Sequence, residues 1–465
     1  MRRLLALLLA AALALVGCSG SDPESAGSTA PAATTESTAE EAPVDATATV
    51  EAPVEIPDTG VGEMATFLVD LVNQDEEVLT TDLDGRLSPI LLDAISAEEL
   101  AEVLNSAIRP ARPFVVTAYQ GSDTQAVATL GGELGAPLDM SLALDEDGLL
   151  SGVLFTPSAG AHESATSIEE VDSRLAALPT TTRALVTLTQ PDGSTSELLS
   201  LDPDDAAPLA SIFKLYVLLA VAEAVDDGSL AWDEQLTLTE DLYSLPAGEF
   251  EGVFEVTVRE AAAAMISVSD NTATDLLIDR IGREAVESAV VAAEHFDPSL
   301  MRPLLTTREL FQLGWGEGGY PERWSEADES ARRGMLEEIA GSPLVVEEGN
   351  EEAVWDEGLD WFASAQDIAA VHRVLAAFED PVVEEILTIN PGIGLELDTT
   401  AWPVIAFKGG SSVGVLTGSW RAEREDGAVL TVVVLTSTTD PMESILAQTE
   451  VFGLVEDIFV IAART

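Results

Sequence analysis

The stretch Pro208-Leu-Ala-Ser211-Ile-Phe-Lys214-Leu-Tyr-Val-Leu-Leu-Ala-Val-Ala-Glu-Ala224 places a serine three residues before a lysine and continues as an apolar run. A run that is apolar on all sides is typical of a buried helix. Ser211 and Lys214 would then share one helix face, with the serine at the N-terminal end, where the dipole and free amides favour a developing oxyanion. A neutral Lys214 could accept the hydroxyl proton. We therefore predict Ser211 as a nucleophile and Lys214 as its base.

Lysine usage supports this interpretation, because Lys214 and Lys408 are the only two lysines among 21 basic side chains. Arginine cannot replace a lysine that must lose its proton or act as a compact point charge. Chance placement of two lysines is the alternative. Lys408 opens the sequence Lys408-Gly409-Gly410-Ser411, where a strand predicted for 403–407 continues. Glycines let a ligand approach the strand backbone and Lys408 supplies an anion contact, whereas a bulge is the structural alternative.

A third motif, Ser269-Asp270-Asn271, follows a helix that begins at the capping box Thr257-Val-Arg-Glu260. A second helix, predicted for 272–281, closes at Gly282. The tripeptide therefore lies on a tight loop between helices. Ser269 could relay a proton and Asn271 could donate to a substrate amide, and a helix N-cap in the same loop is compatible with both roles.

The pattern along the chain predicts a folded C-terminal domain over 165–465. It opens with a hairpin, strands 183–189 and 196–201 around an Asp192-Gly193 turn. A helix-rich middle follows, and strands return at 403–407, 413–420 and 429–437 before a last helix over 441–461. If these strands share one sheet, the helices form a lobe beside it and leave a cleft.

The N-terminal part divides into three further segments. Residues 1–18 have a basic start, a short apolar run and Cys18, as in a lipoprotein signal peptide, so we expect export and a lipid anchor at Cys18 on the outer face of the cell membrane. Residues 19–60 have the composition of a disordered acidic linker. Residues 61–157 predict a small α+β domain, with helices near 64–72 and 87–104 followed by four strands.

Charge and histidine placement restrict the partners. The chain has 83 acidic against 21 basic side chains, a formal net charge of -62. A field of this sign repels phosphate backbones, so nucleic acid is not expected to bind. His162, His295 and His372 lack the spacing of metal ligands, and we expect neither a metal nor a cofactor. We expect a monomer that contacts the membrane only through its lipid.

The ordered motifs S-x-x-K, S-D-N and K-x-G resemble those of the serine β-lactamase and penicillin-binding protein superfamily, in particular its class A-like members. The resemblance covers about 165–465 and implies an α+β fold of antiparallel sheet and helical lobe. The whole chain is similar to two-domain actinobacterial lipoproteins related to the β-lactamase-like protein of clavulanic acid gene clusters. In those, a small cystatin-like or isomerase-like domain precedes the hydrolase.

The resemblance also implies roles for individual residues. Ser211 would attack a β-lactam or ester, Lys214 would act as base, and Ser269 would shuttle the proton. Asn271 would bind the substrate amide and Lys408 its carboxylate, beside Gly410. The backbone amides of Ser211 and Ser411 would form the oxyanion hole.

Two departures from the family pattern bear on turnover. Gly409 stands where the family usually has threonine or serine, which removes a hydroxyl. The stretch 299–307, where class A enzymes carry a deacylating glutamate, has no carboxylate. The expectation is a serine hydrolase that is acylated at Ser211 and deacylates slowly. The alternatives are a catalytically weak, penicillin-binding-like receptor and a cell-wall peptidase.

Overall fold

The computed structural model describes residues 54–465 except positions 55, 58, 123, 133–136, 146–147, 159–161, 247–253, 347–351, 379, 393–394 and 396. The predicted signal peptide with Cys18, and most of the predicted linker 19–60, lie outside these residues. The chain forms two compact units that meet in sequence at Thr156 and Pro157.

The N-terminal unit combines helices with a sheet. Helix α1 (Gly60–Asn73) buries its apolar face, and the strands β1 (Val115–Gly121), β2 (Gln125–Gly131), β3 (Leu138–Leu144) and β4 (Leu150–Pro157) form a sheet in sequential order. The prediction of a single helix over 87–104 is wrong. The range contains two helices, α2 (Pro89–Ala94) and α3 (Ala97–Val103), because Ser96 begins α3 in a capping box with Glu99.

The C-terminal unit contains the sheet expected from the separated strands. The strands are β5 (Thr181–Thr189), β6 (Thr195–Leu201), β11 (Val404–Ser412), β12 (Val415–Glu423) and β13 (Val429–Ser437). Among the described residues their order is β11-β12-β13-β5-β6, and every neighbouring pair is antiparallel. The predicted hairpin is confirmed as β5 and β6. Strand β11 extends beyond its predicted end and takes in the whole Lys408-Gly-Gly-Ser411 motif.

The helix-rich middle forms the lobe. Its helices are α5 (Lys214–Asp226), α6 (Val258–Ser267), α7 (Asn271–Ile281), α8 (Arg283–Ala292), α9 (Thr307–Trp315), α10 (Tyr320–Ser325), α11 (Glu329–Ile339), α12 (Ala365–Ala376) and α13 (Pro381–Thr388). Helix α5 is buried from Lys214 to Ala222, as its apolar composition predicts. The two-residue strands β7 (Ala207–Pro208) and β10 (Phe362–Ala363) pair beside it, and β8 (Gln235–Thr237) pairs with β9 (Glu255–Thr257).

Besides the core of the helical lobe, the C-terminal unit has a core of residues from the sheet and from two helices, α4 (Ile168–Ala176) and α14 (Pro441–Ala462). Trp402 and Trp420 are among its largest buried side chains. His162 lies against Gly453 and within hydrogen-bonding distance of Glu450 and Asp457. Within the part of the chain that the structure describes, no helix is long and apolar enough to cross a membrane.

Candidate active site

The predicted nucleophile lies on a tight turn at the entrance to α5. Ser211 belongs to a 3-10 turn, Ala210–Phe213, and the α-helix itself begins only at Lys214. Ala210 has a φ of 45°, a left-handed conformation that costs energy in a residue with a Cβ. The sequence predicted one continuous helix here, and the tighter turn is the correction.

A buried carboxylate stabilises this turn. Asp360 Oδ1 accepts hydrogen bonds from the backbone amides of Leu209 at 3.1 Å, Ala210 at 2.8 Å and Trp361 at 2.7 Å. Burial raises the pKa of Asp360 to about 7, while the three amides act in the opposite direction. The Trp361 ring stacks on Phe213 at 3.6 Å between ring centroids. The nucleophile turn is therefore held in place by Asp360 and Trp361.

Sequence reasoning missed Asp360, although a signal was present. The residue is the acid within the otherwise apolar stretch Leu359-Asp-Trp-Phe-Ala363. An acidic side chain inside a buried apolar segment requires hydrogen-bond donors.

Lys214 is fully buried, and its ammonium group faces the Ser269-Asp270-Asn271 motif. Its Nζ donates to the carbonyl oxygen of Ser269 at 2.6 Å, to Ser269 Oγ at 3.1 Å and to Asn271 Oδ1 at 2.6 Å. Desolvation lowers the pKa of Lys214 to about 7, against the opposing charges of Asp270 and Asp275. The neutral form that a base requires is therefore accessible near neutral pH.

The loop that carries Ser269 and Asn271 has a constrained backbone. Ser269 has a φ of 60°, and the predicted N-cap of α7 is Asp270, which accepts from the amide of Ala273 at 2.7 Å. Asn271 Nδ2 donates to the carbonyl of Leu245 at 2.5 Å. The sequence predicts that the Asn271 side-chain amide donates to a substrate. One of its two hydrogens is already bound to Leu245 within the protein.

Lys408 reaches the same hydroxyl from the sheet. Its Nζ lies 2.9 Å from Ser269 Oγ and 2.7 Å from the carbonyl of Gly409. Burial and the nearby charge of Lys214 lower the pKa of Lys408. The register of β11 and β12 is unbroken from Val404 to Ser412, so the bulge alternative is wrong. The two lysines of the chain meet at one serine.

Gly410 lies against the nucleophile turn. A Cβ atom at Gly410 would lie 2.4 Å from the carbonyl oxygen of Leu209 and 2.7 Å from the amide nitrogen of Ser211. Thr417 Oγ1 is 2.9 Å from Leu209 O and 3.1 Å from Gly410 O. Strand β11 thus packs directly on the turn, and Ser411 is the next residue of that strand.

The segment 299–307 has no carboxylate of its own, and two buried acids from other helices bind its backbone. Glu287 Oε1 accepts from the amide of Leu304 at 3.1 Å and also pairs with Arg333. Asp275 accepts from Thr307 N at 2.7 Å, from Thr307 Oγ1 at 2.9 Å and from the next amide. Both acids are engaged in holding this segment.

His372 and His295 form hydrogen bonds with other parts of the fold and have structural roles. His372 Nε2 lies 3.0 Å from Ser419 Oγ, which in turn donates to the carbonyl of Lys408 at 2.9 Å. Burial lowers the pKa of His372 to about 3, so it is neutral at physiological pH. His295 Nε2 lies 2.9 Å from the carbonyl of Phe362. Neither ring touches Ser211 in the contacts of the described residues.

Residues 170–354 match the family model described as the β-lactamase enzyme family. The C-terminal unit belongs to the serine β-lactamase and penicillin-binding protein superfamily. Residues 56–150 match a second model, described as the N-terminal part of the ORF 12 gene product. No curated protein is similar to the chain. The link to clavulanic acid clusters and the cystatin-like or isomerase-like type of the N-terminal unit stay predictions.

Solved structures of the superfamily are similar at low identity. A β-lactamase from Sphaerobacter thermophilus is 20% identical with a TM-score of 0.45, and covers 65% of this chain and 97% of its own. A β-lactamase from Chitinophaga pinensis is 17% identical with a TM-score of 0.42, over 64% and 98%. A mutant of PBP-A, solved as an acyl-enzyme complex with penicillin-G, is 18% identical with a TM-score of 0.40, over 63% and 96%.

Replacing Asp360 tests the support of the turn. Asp360→Ala leaves the buried amides of Ala210 and Trp361 without their acceptor, whereas the Leu209 amide keeps the carbonyl of Trp361 at 2.8 Å. Each unsatisfied group costs about 1–3 kcal/mol. We expect the free energy of unfolding in urea to fall by about 2 kcal/mol or more. Asp360→Asn is the matched control, because it keeps one carbonyl oxygen as acceptor and should lose less. Wild-type stability in the alanine variant would remove Asp360 from this role.

Proposed function

We propose that this protein is a serine hydrolase that forms an acyl-enzyme at Ser211 with β-lactam or ester substrates and deacylates slowly. The observation that carries the proposal is the convergence of both lysine Nζ atoms on Ser269 Oγ, with one of these lysines three residues after Ser211. A buried amine, a serine relay and a nucleophile at a helix entrance are the parts that acyl transfer needs.

The proposed reaction uses these parts in order. Lys214 in its neutral form takes the Ser211 proton as Oγ attacks the carbonyl carbon of the substrate. The backbone amides of Ser211 and Ser411 stabilise the oxyanion. Ser269 passes the proton from the lysine side to the leaving atom: an ester releases an alcohol, whereas the amine of an opened β-lactam ring stays attached to the acyl group. The acyl group stays on Ser211.

Slow deacylation is proposed because the two acids that bind the segment 299–307 are already occupied by hydrogen bonds within the protein. Water attack on an acyl-serine needs a general base. Glu287 and Asp275 are already bound by backbone amides, and Glu287 also by Arg333. Because both carboxylates are bound in this way, a second candidate function is also favoured: a penicillin-binding-like receptor that is acylated without turnover.

We further propose export and lipid anchoring at Cys18. The support is the signal-peptide pattern of residues 1–18 and the single cysteine of the chain. The predicted linker 19–60 would then separate the folded units from the membrane.

The acyl-enzyme is tested by denaturing mass spectrometry. The protein is incubated with a fluorescent penicillin, a chromogenic cephalosporin and a simple ester. We expect a mass increase that persists for minutes in the wild-type protein. Ser211→Ala should abolish it, and Lys214→Arg should slow it by at least about 100-fold, since a permanently charged guanidinium cannot act as base.

Ser288→Ala is the matched control, because Ser288 is an exposed helix residue. It should be labelled at the wild-type rate. Labelling of Ser211→Ala at that same rate would contradict the nucleophile, and undiminished labelling of Lys214→Arg would contradict the base. Rapid chromophore release without a stable adduct would contradict slow deacylation.

The acylation rate should depend on pH through Lys214. Its pKa is lowered to about 7, and only the neutral amine accepts a proton. The rate should therefore rise as the pH increases through a midpoint near 7, and fall as the amine is protonated at lower pH. Stopped-flow labelling with the fluorescent penicillin measures this profile. A rate that is flat across this range would contradict Lys214 as the base.

Gly410→Ala should impair acylation, because the added methyl group would meet Leu209 O and the Ser211 amide. The turn or the strand must move, and a misplacement of this size costs about 100-fold in rate. Gly334→Ala is the matched control, since a Cβ there meets nothing within 4 Å. The labelling rate is the measurement, with circular dichroism to show that both variants fold. Equal rates in the two variants would contradict the packing role of Gly410.

A further inference from the structure

A single buried hydroxyl joins strand β11 to the nucleophile turn. Thr417 lies on β12 directly opposite Gly410 of β11, and it is only 5% exposed. Its Oγ1 lies 2.9 Å from the carbonyl oxygen of Leu209 and 3.1 Å from that of Gly410. The one hydrogen of this hydroxyl is therefore shared between a carbonyl of the turn and a carbonyl of the strand.

The Thr417 hydroxyl lies on the same face of the sheet as Gly410 and Lys408. Directly paired residues of neighbouring strands share a face, and residues two apart along a strand do so too. A Cβ at Gly410 would lie 2.7 Å from Thr417 Oγ1 and 2.7 Å from the Ser211 amide nitrogen. Leu416, the residue before Thr417, belongs instead to the core that contains α14. The hydroxyl is thus on the face that carries the proposed reaction.

The strand carbonyl that Thr417 contacts belongs to the same peptide unit as the Ser411 amide. In a planar trans peptide the C=O and N–H bonds point in opposite directions. Because the Gly410 oxygen points towards Thr417 on β12, the Ser411 N–H points away from β12. In the described part of the sheet no strand lies beyond β11, and this N–H therefore faces the open edge.

The turn carbonyl that Thr417 contacts is the one on which the nucleophile turn closes. The amide of Ile212 donates to the carbonyl of Leu209 at 3.2 Å, and Ser211 lies between these two residues. The Leu209 amide donates to Asp360 Oδ1 at 3.1 Å. The backbone of Leu209 is therefore fixed at both its N–H and its C=O, and Thr417 connects the C=O to the strand.

We propose that Thr417 is a positioning residue for acyl transfer, which sets the spacing between the Ser211 and Ser411 amides that stabilise the oxyanion. This inference rests on the proposed function, and it adds a group that acts through the backbone rather than on the substrate. Oxyanion stabilisation depends steeply on geometry, because each donor must lie about 2.7–3.1 Å from the oxygen in the transition state. Without the hydroxyl, the strand and the turn lose the bond that holds them at this spacing.

The inference is tested on the full chain by stopped-flow labelling over a range of fluorescent penicillin concentrations, which separates the binding constant from the acylation rate constant. Thr417→Val keeps the shape of the side chain and removes the hydroxyl. We expect the acylation rate constant to fall about ten-fold, less than the roughly 100-fold loss of a whole oxyanion donor. The binding constant should change less than about two-fold. Thr417→Ser keeps the hydroxyl and should stay within about two-fold of the wild-type rate.

Thr436→Val is the matched control. Thr436 is 1% exposed on β13, and its Oγ1 donates to the carbonyl of its strand partner Leu416 at 2.8 Å. The variant removes the same kind of bond from the same sheet, on the face opposite to the nucleophile turn, and should be acylated at the wild-type rate. Circular dichroism and urea unfolding show whether the variants fold. If Thr417→Val does not fold, Thr417→Ala should show the same loss of rate.

A spectroscopic measurement separates this role from a merely structural one. A penicillin with carbon-13 at the β-lactam carbonyl gives an acyl-enzyme whose ester carbonyl band is resolved by infrared difference spectroscopy. Hydrogen bonds from the two amides lower the frequency of this band. It should therefore shift to higher wavenumber in Thr417→Val, and stay at the wild-type position in Thr417→Ser and Thr436→Val.

The outcomes separate this inference from the proposed function. Either a wild-type acylation rate or an unshifted band in Thr417→Val overturns the positioning role. An equal loss of rate in Thr417→Ser or in Thr436→Val also overturns it, because side-chain shape or general sheet stability then accounts for the effect. A wild-type protein that is not labelled, or labelling that Ser211→Ala retains, overturns the proposed function and this inference with it.

Discussion

The structure depends on two ammonium groups that share one hydroxyl in the protein interior. Lys214 and Lys408 both contact Ser269 Oγ, and both are buried. Two like charges at this distance in a poorly solvated region repel strongly, so the arrangement favours loss of a proton. Burial lowers the pKa of Lys214 to about 7 against the opposing charges of Asp270 and Asp275, and burial and the charge of Lys214 lower the pKa of Lys408.

This arrangement requires three separate segments to be held at short range. Asp360 fixes the turn that carries Ser211, Asp270 caps the helix that follows Ser269, and Gly410 lets the strand approach the turn. Each contact uses backbone groups, which tolerate little displacement. The left-handed backbone at Ala210 and Ser269 shows that both loops are held in conformations they would not adopt alone.

The sequence predicted the parts of the site that depend on local pattern. The hairpin, the buried helix after Ser211, the capping box at Thr257 and the late strands are confirmed, because periodicity and turn residues report on local structure. The lysine count pointed to Lys214 and Lys408, and the structure places them together. Asp360, by contrast, meets its partners across about 150 residues, and no local pattern encodes that contact.

The sheet order has a consequence for how the protein is made. Strand β5 pairs with β13, and Lys408 lies on β11 at the edge, so the early hairpin is joined to the sheet only through the last strands of the chain. A ribosome must therefore release nearly the whole polypeptide before the amines and the hydroxyl can meet. Until then Ser269 Oγ lacks its contact with Lys408, and the site stays incomplete while the chain is being synthesised.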